Sequence, residues 1–167
     1  NLENPHLREV VNNFDQFFKM AMEGSRTPGA AVVIVKDTSI LYMRGFGVKN
    51  SRMRDSIDVN TVFRIGSLSK GFAGVLSGML VEDGQFAWND RVKKHYPEFK
   101  LSTPEHTENA TITHLLSHTT GMPYHTYSDL VESDWTLKNI AARLQRVRPA
   151  APLGKLYNYQ NVVFSLI

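Results

Sequence analysis

The stretch Phe63–Gly84, FRIGSLSKGFAGVLSGMLVEDG, puts Ser67 and, three residues on, Lys70 at the mouth of a segment with no further charge until Glu82. A serine there is an ordinary helix cap. A lysine in the first helical turn is not, because the macrodipole puts positive partial charge at a helix N-terminus and a buried ammonium costs still more. Local sequence leaves two readings. One is a capping serine with a lysine that snorkels to water. The other is a nucleophile with its base: at this spacing the amine reaches the hydroxyl. A hydroxyl attacks only once its proton is taken, and a dry helix N-terminus favours the neutral amine that can take it. The same helix start would offer the Ser67 N–H to a developing oxyanion. Gly71, Ala73, Gly74 and Gly78 follow, a pattern that predicts a buried, closely packed helix. Its charge-free run, Gly71 to Val81, is too short to span a membrane.

Upstream, Asn4 and Pro5 open a helix with apolar residues at helical spacing from Leu7 to Ala21, closed at Gly24. Two β-branched runs joined at Asp37-Thr38 then read as an antiparallel hairpin, with that helix as its cover. Downstream, helices alternate with turn-rich loops at GQFAWND, KLSTPEHTEN and TTGMPYHTYSD. A lone hairpin is marginal, and NYQNVVFSLI stops in an apolar run, so the chain is expected to be the N-terminal piece of a longer protein that completes the sheet.

Composition narrows the function. With 167 residues, 42% hydrophobic and 21% charged, the chain is of ordinary globular type. A formal charge of +3 is spread without a basic run, which argues against nucleic acid as a partner. Arg143, Arg146 and Arg148 read as a solvated helix end. The absence of cysteine removes disulfides and thiolate metal sites and leaves the compartment open. His114 and His118 stand four apart, as zinc ligands can, but HLLSH lacks the glutamate of a hydrolytic zinc helix, and no metal or other cofactor is expected. His6, His95 and His106 read as solvated.

Several ordered blocks together resemble the serine β-lactamase and penicillin-binding-protein superfamily, in particular its class C β-lactamase and D-alanyl-D-alanine carboxypeptidase branch, which also contains esterases. TPGAAVVIVKD and RGFGV resemble the first two sheet strands. TVFRIGSLSKGFAGVLSGMLVEDGQFAWNDRVKKHYPEF resembles the nucleophile helix with its following loop, and ATITHLLSHTTGMP resembles the segment T-I-x-x-L-L-x-H-T-S-G-L-P, in which His118 is structural. PLGKLYNYQN resembles the block holding the Tyr-x-Asn motif, here Tyr159-Gln160-Asn161. The implied fold is α/β of the α+β type, an antiparallel sheet flanked by helices plus a helical subdomain. Residues 1–48 would give the helix and first two strands, and 49–167 the mainly helical part.

The resemblance implies Ser67 as acylated nucleophile, Lys70 as the amine that lowers its barrier, Tyr159 as proton shuttle and Asn161 as holder of the substrate's amide. His125 stands where class C enzymes carry glutamine, so one substrate contact differs. No Lys-Thr-Gly strand motif, the source of a second oxyanion donor, occurs before Ile167. The expectation is a serine hydrolase or acyltransferase acting on β-lactams or D-alanyl-D-alanine peptides in a periplasmic or secreted setting. An esterase of the same family and a non-catalytic scaffold are the rival functions.

Overall fold

In the computed structural model, residues 4–133 and 135–167 are described, and they form two compact units, one ending at Arg64 and the other running from Ile65 to Ile167.

The first unit opens with α1, Pro5–Gly24. The Asn4 side chain accepts the His6 N–H at 2.9 Å and Pro5 occupies the first turn, where its missing donor costs nothing. Strands β1, Gly29–Lys36, and β2, Ser39–Gly47, pair antiparallel from Gly29↔Gly47 to Lys36↔Ser39, with one register shift between Ile34 and Val35. Asp37 turns the hairpin with φ 51°. As the apolar spacing predicts, α1 covers the hairpin: Phe14 packs edge-on against Tyr42 and Phe18 against Phe46, with centroids 5.7 and 4.8 Å apart. The Tyr42 hydroxyl and the Arg44 guanidinium both donate to Asp15 Oδ1 at 2.5 Å. Residues 49–64 belong with this unit rather than with the helices. Val48 bridges to Ser56, the Ile57 N–H donates to Gly47 O, and a Cβ on Gly45 would lie 2.4 Å from the Ile57 carbonyl oxygen.

The second unit is helical. A 3₁₀ turn, Gly66–Leu68, leads into α2, Ser69–Glu82. The short helices α3, Val92–His95, α4, Pro104–Asn109, α5, Ile112–Leu116, α6, Ser128–Val131, α7, Leu137–Ala141, and α8, Asn161–Phe164, follow. Their core gathers Phe99, Leu101, Leu115, Met122, Ile140, Leu144, Val162 and Val163.

Three expectations need correction here. Helix α2 is not buried: Ser77 is its one buried residue, Phe72 and Val75 are 71% and 67% exposed, and nothing lies within 4 Å of a Cβ built on Gly71, Gly74 or Gly78. Its glycines therefore mark a face open to close approach that no described residue fills. KLSTPEHTEN is not all loop, because Thr103 caps α4 by accepting the His106 N–H. His106 is not solvated either. It is buried, with Nδ1 against Thr103 Oγ1 at 2.7 Å and Nε2 against the Ala151 carbonyl at 3.0 Å.

Candidate active site

Gly66 precedes Ser67 with φ 51°, a backbone that glycine reaches without strain, and so turns the chain into the helix just ahead of the serine. The first intrahelical donor is the Leu68 N–H, to Ile65 O, so the Ser67 N–H precedes the helical ladder as an orphan donor does. Lys70, one turn on, donates to Ser67 Oγ at 3.2 Å. The expected pair on one face is in place.

Its partners arrive from about ninety residues away. Lys70 Nζ also donates to Asn161 Oδ1 at 2.8 Å, and the Tyr159 hydroxyl donates to Ser67 Oγ at 2.5 Å. The ammonium stands 4.8 Å from the centroid of the Tyr159 ring and 5.2 Å from that of Phe164. Ser67 is exposed, whereas Lys70, Tyr159 and Asn161 are half-buried, so the serine lies open to solvent at the edge of a half-buried polar cluster. Burial pushes the Tyr159 phenol up, but the adjoining Lys70 ammonium and the Ser67 hydroxyl outweigh it, and the phenol ends below its ordinary value.

The segment that presents Tyr159 and Asn161 is tied to the turn after α5. Asn158 N–H donates to His118 O, Gln160 N–H to His118 Nδ1 at 3.1 Å, His125 N–H to Tyr159 O, and the Asn158 amide to Met122 O. That turn needs left-handed backbone at His118, Gly121 and His125. At Gly121 a Cβ would also meet the Ala151 carbonyl oxygen at 2.1 Å, so only glycine fits.

His125 lies exposed at the edge of the cluster, its ring 5.3 Å from that of Tyr159. Its Nδ1 meets Ser128 Oγ at 3.1 Å, and Ser128 Oγ accepts from Asn161 Nδ2 at 3.4 Å. Ser128 therefore joins the site, a residue that sequence reasoning missed. Its one signal was its place three residues after His125 in a turn-rich segment.

The two histidines with zinc-like spacing have other work. His114 is the third residue of a capping box: Thr111 Oγ1 accepts the His114 N–H while His114 Nδ1 accepts the Thr111 N–H at 3.2 Å. His118 Nδ1 is taken by Gln160, and the described residues hold no group of three or more His, Cys, Asp or Glu side chains placed to hold a metal ion.

The sequence pattern of the family described as Beta-lactamase matches residues 14–167. The chain belongs to the beta-lactamase family. It is 30% identical over 161 residues to Protein flp of Staphylococcus aureus, a match covering 92% of this chain and 31% of that protein. The chain thus spans under a third of the curated relatives' length. Among solved structures, the octameric penicillin-binding protein homologue from Pyrococcus abyssi superposes with a TM-score of 0.78 at 28% identity, over 93% of this chain and 37% of that one. EstCE1, a hydrolase with promiscuous acyltransferase activity, gives a TM-score of 0.83 at 21% identity, over 98% of this chain and 46% of that one. These likenesses place the two-stranded sheet and its helices in the beta-lactamase-family hydrolase fold, with the sheet incomplete in this chain.

Proposed function

We propose that this beta-lactamase-family protein forms an acyl-enzyme on Ser67, acting on β-lactams or D-alanyl-D-alanine peptides. The observation that carries the reading is the convergence of the Lys70 ammonium and the Tyr159 hydroxyl on Ser67 Oγ. With Tyr159 as phenolate, a form the Lys70 charge favours, the Ser67 proton passes to the phenolate oxygen as Oγ bonds to the substrate carbonyl. The Ser67 N–H donates to the oxyanion. Collapse of the tetrahedral species breaks the bond to the leaving group, which takes the proton back from Tyr159. Water then attacks the acyl ester by the reverse route and frees Ser67. Asn161 holds Lys70 in register and, as the resemblance implies, the substrate's amide, with His125 as a second contact. A periplasmic or secreted setting, where such substrates are met, is part of the proposal.

The test is to incubate the whole protein carrying this chain with a fluorescent penicillin and to map the adduct. Label on Ser67, lost in Ser67→Ala, is expected; no adduct together with no ester hydrolysis sinks the catalytic reading. His125 in place of glutamine favours a second reading, an esterase that barely touches β-lactams. Turnover of short p-nitrophenyl esters with nitrocefin left intact selects it. Unchanged biological activity in Ser67→Ala would select a non-catalytic scaffold.

A further inference from the structure

We propose that His118 is a positioning residue that holds the Tyr159–Asn161 segment in its working place only while its imidazole is neutral. His118 is buried and makes no hydrogen bond to Ser67, whose side chain is bonded by Lys70 and Tyr159. It is 8% exposed, and its ring packs against Tyr159 at 4.6 Å, Phe164 at 5.3 Å and Tyr157 at 5.8 Å. Two of those rings, Tyr159 and Phe164, are the ones beside which the Lys70 ammonium stands. The imidazole and the ammonium thus share the same two aromatic neighbours.

The hydrogen bond fixes the charge state this arrangement needs. The Gln160 N–H donates to Nδ1, so Nδ1 carries no proton and Nε2 does. Gln160 is 1% exposed and sits between Tyr159 and Asn161. A proton on Nδ1 turns the acceptor into a donor facing that N–H and leaves both buried without a partner. It also places a second positive charge beside the rings that Lys70 uses. The titratable groups facing His118 are Lys70 from α2 and Tyr157 and Tyr159 from the segment before α8. No carboxylate is among its partners in the described residues, so nothing offsets that charge. Burial, and after it the Lys70 charge, accordingly hold the imidazole below the ordinary histidine value. On acidification the segment is released from one end and Tyr159 loses its fixed distance to Ser67.

This kinetic consequence rests on the acyl-enzyme reading, whereas the positioning itself does not, and the experiment separates them. In the whole protein labelled with nitrogen-15, the His118 ring and the Gln160 amide should shift together with one midpoint as pH falls. Acylation of Ser67 should decline with that midpoint. His118→Asn keeps a short uncharged acceptor and suits the positive φ of 58°. It should keep the rise in rate with pH that Tyr159 imposes and lose only the added drop at the His118 midpoint. His118→Phe keeps the ring and drops the acceptor, and should lose about tenfold in kcat with KM within about twofold. A Gln160 amide indifferent to the His118 titration overturns the proposal, as does an Asn variant with the unaltered acid limb. If Ser67 never acylates while the two resonances titrate together, the functional reading falls and the positioning stands.

Discussion

Asn161 shows how closely a single amide is committed at this site. Its oxygen accepts from Lys70 and its nitrogen donates to Ser128, so both ends are engaged before any substrate arrives. Asn161→Ala strips the ammonium of a charge-assisted partner, a contact worth about 1.5–3 kcal/mol. Acylation of Ser67 should slow by roughly tenfold to a hundredfold, read as the second-order rate of adduct formation. Tyr159 makes a pH statement. Its phenol is held below the ordinary value by Lys70 and Ser67 against the opposing effect of burial, so the phenolate that the proposed mechanism uses gains population at lower pH than in free tyrosine. The acylation rate should climb with pH and level off before pH ~10, the ordinary tyrosine value. Tyr159→Phe should erase that limb, and a Phe variant with the same profile would acquit the tyrosine. Ser67 and Lys70 were legible because their meeting is set by one helical turn. Tyr159 and Asn161 were reached only through block order, since no local spacing brings residues ninety apart together. Ser128 was not legible: it reaches Asn161 through the left-handed backbone of His125 and Tyr127, residue types that do not announce a positive φ as glycine does.

Elements were legible where their ends are chemically marked. Asn4-Pro5 and the Asp37 turn bound α1 and the hairpin, and Thr103 bounds α4, a cap that lies hidden in a run of loop-forming residues. The misjudged element was α2. Hydrophobicity and glycine told that its surface suits close packing, but periodicity cannot say whether the packing partner lies in the same stretch of chain. Phe72, Val75 and Met79 remain exposed along it, as does Leu68 in the turn just before it. Residues 1–167 prepared alone should therefore bind a hydrophobic dye and self-associate, and Phe72→Lys with Val75→Lys should reduce both, as dye fluorescence and sedimentation would report. The α1–β2 contact makes a different prediction. Burial first, and then the hydrogen bond to Asp15, push the Tyr42 phenol up to about 12. A folded value raised above the unfolded 10 means a contribution fully present below pH 10 and lost as pH rises toward 12. Alkaline unfolding should show a loss of stability in that window, and Tyr42→Phe should remove it.

For the molecule as a whole, the chain carries the Ser67 N–H but spans 31% of the length of its Staphylococcus aureus relative. Loss of one oxyanion donor costs about 2.7–4 kcal/mol. Residues 1–167 alone should then acylate about 10²–10³ times more slowly than the whole protein carrying them, a comparison that stopped-flow labelling makes directly. The fold class was legible because several blocks keep one order along the chain. The place where the units divide was not, because what draws residues 49–64 to the hairpin is a backbone bridge, Val48 to Ser56, that leaves no mark in composition. That division also gives each unit its own optical reporter. Both tryptophans, Trp88 and Trp135, lie after Arg64, and Trp135 stacks under the Arg143 guanidinium at 4.3 Å, whereas Tyr42 is the only tyrosine before it. Tryptophan emission therefore follows the helical unit alone, while the phenolate absorbance that reports the hairpin unit is the difference between the chain and its Tyr42→Phe variant, since the other five tyrosines lie after Arg64. A melt recorded at both wavelengths can tell whether the two halves let go together without any label being attached.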